Sequence, residues 1–181
     1  MALLALGAGC TEDEHPDDLC GGNSTWTPGG AGETDAFEGS TLQYPNGHSM
    51  DWHETDPVVI QDELDVIELI NDERVLRGLV KLQFDRALAR CARGHSRHHY
   101  EHGYFQGHVN PEGDDFSSRI VNNGIDTESA GENIVYGSFT ALSTYHGWKT
   151  SPPHNANMFN PCFIRIGVGR HQDVWTALFA R

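Results

Sequence analysis

Two short stretches of this chain carry side chains suited to chemistry. Gly131-Glu132-Asn133 supplies a carboxylate, and Trp148-Lys149-Thr150-Ser151-Pro152-Pro153-His154-Asn155-Ala156-Asn157 strings an aromatic anchor, a prolyl turn and a histidine onto one loop. An acid and an imidazole drawn into one cleft can move a proton, hold a metal ion or pair with each other. A third candidate is the row Leu88, Cys91, Ala92, His95, His98, His99 and His102, whose separations of three and four place all seven on one helical stripe. Histidines at i and i+4 can grip a single ion, but no HExxH carboxylate accompanies them. The same stripe therefore also reads as a half-exposed helix end with solvated or hydrogen-bonded imidazoles. Ser151 and His154 would make a nucleophile and its base only if Pro152-Pro153 folds the loop back, and no GxSxG elbow supports that reading.

These residues need a scaffold, and the pattern from Asp62 onward provides one. Asp62 is suited to cap a helix with Glu63 and Asp65 in its first turn, Val66, Ile67, Leu69 and Ile70 in its middle and Gly78 after its end. Apolar residues occupy more than one face of it, so burial is expected. Leu79 to Phe84 reads as a short extended link, and Asp85 as the cap of a second helix running to about Gly103. A third helix is expected from about Phe139 to Trp148. Ile164, Ile166 and Val168 alternate with polar or small residues, and Val174 to Phe179 follows across Gly169-Arg170-His171-Gln172-Asp173, which predicts an antiparallel hairpin. Helices before and between a few strands predict an α+β layered domain, and no glycine fingerprint for a dinucleotide is present.

The chain has 181 residues and a net charge of −14, shared unevenly. Residues 1–56 hold 11 Asp and Glu with no Lys or Arg, leaving −3 for residues 57–181. Phosphate binding needs clustered cations, so the composition excludes a nucleic-acid partner. Residues 11–56 are rich in Gly, Ser, Thr, Pro and acids and read as a flexible spacer. Residues 1–10, ending Leu6-Gly7-Ala8-Gly9-Cys10, resemble the end of a bacterial lipoprotein signal, which predicts export and Cys10 as a lipidated anchor on a membrane surface. No apolar run reaches the ~18 residues of a spanning helix. Export makes a Cys91–Cys162 disulfide the expected arrangement, the other reading being two buried free thiols, and it leaves Cys20 without an obvious partner. No CxxC spacing indicates a zinc knuckle.

Leu69-Ile70-Asn71-Asp72-Glu73-Arg74, Gly78-Leu79, Leu82, Leu88, Ala92 and His95-Ser96 resemble the opening helices of bacterial CAP (SCP-like extracellular) domains. Tyr104 to His108, Arg119, Gly131 to Ile134, Trp148 to Asn157 and Ile166 to Gly169 follow in that family's order, so the resemblance spans residues 64 to 181. It implies a three-layer α-β-α sandwich around a small, mainly antiparallel sheet in residues 57–181, with a cleft lined by two His and two Glu. Carried over, His108 matches the first histidine, Glu132 the GEN glutamate and His154 the second histidine, while the remaining acid of eukaryotic members falls at Ser151 and is missing. The resemblance implies two readings. One is an exported, non-catalytic module binding a lipid, glycan or protein ligand. The other is a metal-assisted hydrolase in which His108 and His154 bind Zn²⁺ or another divalent cation and Glu132 polarises water. A bland alternative is that the acid and the two imidazoles form a buried network pinning the Trp148 loop.

Overall fold

The computed structural model describes residues 56–103, 107–110 and 112–181. The expected spacer and lipidation site at Cys10 lie outside them. Helix α1 covers Pro57–Leu76 and is capped by Asp56, six residues before the Asp62 cap predicted. The reason is local: Asp56 accepts the Val58 N–H at 2.8 Å, and Pro57 at the first position has no N–H to satisfy. Helix α2 covers Arg86–Glu101, and Asp85 caps it as expected, accepting from the Ala87 and Leu88 N–H groups at 2.8 and 3.1 Å.

The sheet consists of β1 (Gln83–Phe84), β2 (Ala130–Tyr136), β3 (Arg165–His171) and β4 (Val174–Ala180), in the order β1-β3-β4-β2. Only the short β1–β3 pair is parallel. The hairpin between β3 and β4 turns at Gln172-Asp173, tighter than the five-residue turn expected, because β3 continues through Gly169 to His171. Gln172 takes φ 54° there, a left-handed conformation that closes a two-residue turn. The described residues form three further helices: α3 (Phe116–Asn122), α4 (Ala141–Thr150) and α5 (Pro152–Met158).

Strand periodicity divides the core into two layers. Ile166, Val168, Trp175, Ala177 and Phe179 face a cluster with Val66, Ile67 and Ile70 of α1, Tyr145 and Trp148 of α4 and Met158 of α5. Leu178 and Ala180 face the opposite cluster, with Leu88, Cys91 and Ala92 of α2 and Ile120 of α3. The result is the three-layer α-β-α sandwich. Gly167 and Gly169 explain how closely α2 packs: a Cβ on either would come within 2.1 Å of the Ala89 or Arg93 backbone nitrogen. Both glycines point at α2, so this helix lies on bare backbone.

Buried polar groups lock the layers together. Arg74 is fully buried and donates to the carbonyls of Val80, Met158, Asn160 and Phe163 at 2.8 to 3.2 Å, joining the end of α1 to the segment between α5 and β3. Glu63 of α1 pairs with Arg93 of α2, Nε to Oε1 at 2.9 Å, and accepts the Arg170 N–H of β3 at 2.8 Å.

The expected Cys91–Cys162 bridge does not form. Cys91 is a free, buried thiol in the α2–α3 layer, with Asn123 Nδ2 donating to its sulfur at 3.4 Å and burial pushing its pKa up to about 12. Cys162 lies in the turn between α5 and β3, beside the end of α1, where it is half-buried and disulfide-bonded. No helix among the described residues is long and apolar enough to cross a membrane.

Candidate functional site

Strand β2 carries Glu132 into the layer between sheet and helices α2 and α3, where its side chain is closed off from solvent. A carboxylate so placed must be compensated. Oε2 accepts from the guanidinium of Arg119, itself fully buried on α3. Oε1 accepts from His108 Nδ1 at 2.8 Å. Arg119 also donates to the carbonyls of His108 and Asp114, at 2.9 and 3.1 Å. One guanidinium thus binds the acid of the strand and the backbone of the loop that presents His108.

Below this pair lies the histidine stripe. His95 Nε2 is 3.9 Å from Glu132 Oε2, and the His95 and His99 rings meet edge to face with centroids 4.6 Å apart. His95 and His99 are fully buried and His98 nearly so, while His102 is exposed, so the half-exposed helix end expected from sequence is instead mostly core. Burial pushes the pKa of His95 well below the ordinary imidazole value and that of His99 to about 4, and the neighbouring Arg119 charge adds to both. His98 sits 3.4 Å from Glu112. Among the described residues, no three His, Cys, Asp or Glu side chains are grouped to hold a metal ion, which removes the stripe as a three-ligand site.

His108 and His154 line the open side. His108 is about half exposed, and its hydrogen bond to Glu132 raises its pKa. A carboxylate can only accept, so Nδ1 carries the proton and Nε2 is the nitrogen that a ligand would meet. His154 lies in the first turn of α5, half-buried. Its pKa is lowered by burial first and then by the charge of His108, so the two rings share one electrostatic field. Its backbone is fixed to the strand: Asn133 Nδ2 donates to the His154 carbonyl at 3.0 Å, and Asn157 Nδ2 donates to the Glu132 carbonyl at 3.1 Å and to Asn133 Oδ1 at 2.9 Å. The expected Trp148 loop is therefore the joint between α4 and α5, and Gly131-Glu132-Asn133 holds it through Asn133 and Glu132.

Ser151 is that joint. Its N–H donates to the Trp148 carbonyl at 3.2 Å and its carbonyl accepts from Asn155 at 2.8 Å. These backbone bonds shape the turn, and Pro152-Pro153 opens α5 rather than folding Ser151 back onto His154. Sequence reasoning missed the part played by Arg119 and His95. A buried glutamate implies a buried cation, and Arg119 was the arginine quoted with the surrounding motifs.

Glu132 on β2, Arg119 on α3, His154 on α5 and His108 on the loop before α3 are thus held by one α-β-α sandwich. Residues 67–176 match the family model "CAP: Cysteine-rich secretory protein family", and the chain belongs to this family. It is 32% identical over 119 residues to the uncharacterized membrane protein YlbC of Bacillus subtilis, covering 66% of this chain and 34% of that protein. It is 36% identical over 119 residues to the uncharacterized protein YkwD of the same organism, covering 65% and 46%. The chain thus spans less than half the length of these curated relatives. Among solved structures it resembles an extracellular protein containing an SCP domain from Bacillus anthracis (TM-score 0.66, 26% identity, 72% of this chain and 45% of that one). An outer surface protein of Borrelia burgdorferi shares the fold (TM-score 0.63, 20% identity, 71% and 96%).

Proposed function

We propose that this chain is an exported CAP-type binding module for a lipid, glycan or protein ligand, and that it is not a hydrolase. One observation carries the reading: both oxygens of Glu132 are engaged, one by Arg119 and one by His108, inside a closed layer. The metal-assisted hydrolase needs that carboxylate to polarise a water, and the second acid of the four-residue cleft is replaced by Ser151. Glu132 instead acts as a strut that sets the ring of His108. Export is supported by the extracellular SCP protein of Bacillus anthracis and by the outer surface protein of Borrelia burgdorferi. Anchoring through Cys10 belongs to the same reading.

Weak binding of a divalent cation belongs to the same proposal. A carboxylate behind Nδ1 orients an imidazole so that Nε2 can ligate, the arrangement found behind zinc-bound histidines. His108 Nε2 and His154 would hold Zn²⁺ or another divalent ion, which would supply a polarising charge to a ligand's anionic group. Two protein ligands give weak binding.

The test is turnover. Ester, amide and glycoside substrates are offered to the full chain and to Glu132→Gln, with and without Zn²⁺. The binding-module reading expects both at the uncatalysed rate. Turnover by the parent that is lost in Glu132→Gln would establish the hydrolase.

A further inference from the structure

The supports of the two ligand-facing histidines meet on consecutive residues of β2. Side chains of a strand alternate between its faces, so Glu132 points into the layer of α2 and α3 while Asn133 points toward α5. Glu132 holds His108 through Nδ1 at 2.8 Å, and Asn133 holds His154 through its backbone carbonyl at 3.0 Å. One strand thus grips one histidine from each face. The His154 arm has a further link, because Asn157 bonds to both of these strand residues. We propose that Asn157 is a positioning residue: by setting which way Asn133 faces, it holds the first turn of α5 against β2 and fixes where His154 stands relative to His108. This rests on the reading of His108 and His154 as the pair that meets a ligand.

The polarity of the contact follows from one fixed acceptor. The Glu132 carbonyl can only accept, so the Asn157 atom 3.1 Å from it is Nδ2. The same Nδ2 lies 2.9 Å from Asn133, whose facing atom must therefore be Oδ1. That leaves Asn133 Nδ2 to donate to the His154 carbonyl. The reverse orientation would set two amide nitrogens against each other at Asn157 and two oxygens against each other at His154. Asn133 is fully buried, so water could not repair either clash.

Helix α5 cannot place His154 unaided. It has seven residues, too few for a helix to be stable by itself, and Met158 at its far end is its one buried side chain. Arg74 secures that end by donating to the Met158 carbonyl at 2.8 Å, and Asn155 Nδ2 ties the helix toward α4 at the Lys149 carbonyl, also at 2.8 Å. Neither bond reaches β2. Toward the strand, the amides of Asn133 and Asn157 do the holding, and Gly131 leaves them room: a Cβ there would lie 3.0 Å from Asn157 Oδ1 and 3.1 Å from the Phe163 ring.

Asn157→Asp tests the role, because it keeps the shape of the side chain and puts an oxygen that can only accept against two acceptors, the Glu132 carbonyl and Asn133 Oδ1. A side chain that merely fills space would tolerate the exchange. Diethyl pyrocarbonate labels accessible imidazoles, and peptide mapping of the full chain at neutral pH reads each histidine separately. His154 is half-buried and His146 exposed, so His154 should label more slowly than His146 in the parent. In the Asn157→Asp chain His154 should label several-fold faster, with His108 and His146 unchanged.

The fully buried His95 and His99 are the internal control for folding. If they too become labelled, the chain has opened, and Asn157→Ala, which removes the donors without adding charge, is read by the same criteria. Zn²⁺ titration gives a second readout: the variant should bind the ion about tenfold more weakly than the parent, as His154→Ala does. His154 labelling at the parent rate in a folded variant would overturn the proposal. A parent that binds Zn²⁺ no better than the His108→Ala, His154→Ala double variant would count against the cation alone, and the labelling rate of His154 still decides the role of Asn157.

Discussion

Arg119 and Glu132 form a salt bridge in which both side chains are fully withdrawn from solvent, one on α3 and the other on β2. Their two charges make each other's burial tolerable, and removing either strands the other. Glu132→Gln or Arg119→Met should each cost about 3–5 kcal/mol in urea unfolding. The double substitution should cost less than the sum of the two single changes, because neither charge is then left alone. Additive losses would show that the pair is not coupled.

The glycines of β3 give a steric prediction. At Gly169 a methyl group would stand 2.1 Å from the Arg93 nitrogen, a contact that only a shift of α2 could relieve. Gly169→Ala should destabilise the domain by about 3 kcal/mol or more, and Gly167→Ala similarly, measured by denaturant midpoint at constant m-value. Gly137→Ala meets no atom within 4 Å, although its φ of 74° still adds strain. Its loss should be about 1 kcal/mol, smaller than at either β3 glycine. Equal losses at the three sites would contradict close packing of α2.

Acid should destabilise the protein through its buried imidazoles. His99 is held neutral with its pKa lowered from 6.5 to about 4, and His95 moves in the same direction. The unfolded chain binds these protons more readily, so their contribution is fully present above about pH 6.5 and is lost as pH falls toward 4. For His99 alone the loss is on the order of 3 kcal/mol. Thermal unfolding followed from pH 7 to pH 4 should show Tm falling through that window. His99→Phe, which keeps ring volume without the titrating group, should flatten the fall. A Tm that stays level from pH 6.5 to 4 would refute this assignment.

Arg74 gives a prediction remote from the site. It satisfies four backbone carbonyls that fix the turn containing Cys162. Arg74→Met preserves much of its length and removes every donor, so it should cost about 3 kcal/mol or more. Hydrogen exchange should speed up first in the turn between α5 and β3. Exchange that changes uniformly across the sheet would argue against a local anchor.

Much of the scaffold was legible in the residues. Asp85 reads as a cap because its side chain precedes an apolar-periodic run, and the β3–β4 hairpin follows from alternation at Ile164, Ile166 and Val168 and a second run, Val174 to Phe179, across a polar turn. Helices α3 and α5 were not legible, because seven residues are less than two full turns and carry no resolvable period. The start of α1 was misplaced because Asp56-Pro57 and Asp62 both carry helix-start signals, and the proline decides between them. The histidine stripe was read as an ion grip or a half-exposed helix end because imidazoles usually keep some contact with water or a ligand. Its burial follows from the tertiary placement of Arg119 and Glu132, which no local pattern encodes. The cysteine pairing failed for a similar reason: Cys91 and Cys162 lie in different layers.

Glu132 holds His108 by its Nδ1–H, which leaves Nε2 as the nitrogen free for a ligand. Nitrogen-15 NMR titration of His108 in the parent and in Glu132→Gln tests this directly. His108 should titrate above 6.5 in the parent, with the proton of the neutral ring on Nδ1, and lower in the variant. A pKa at or below 6.5 that does not respond to the substitution would contradict it.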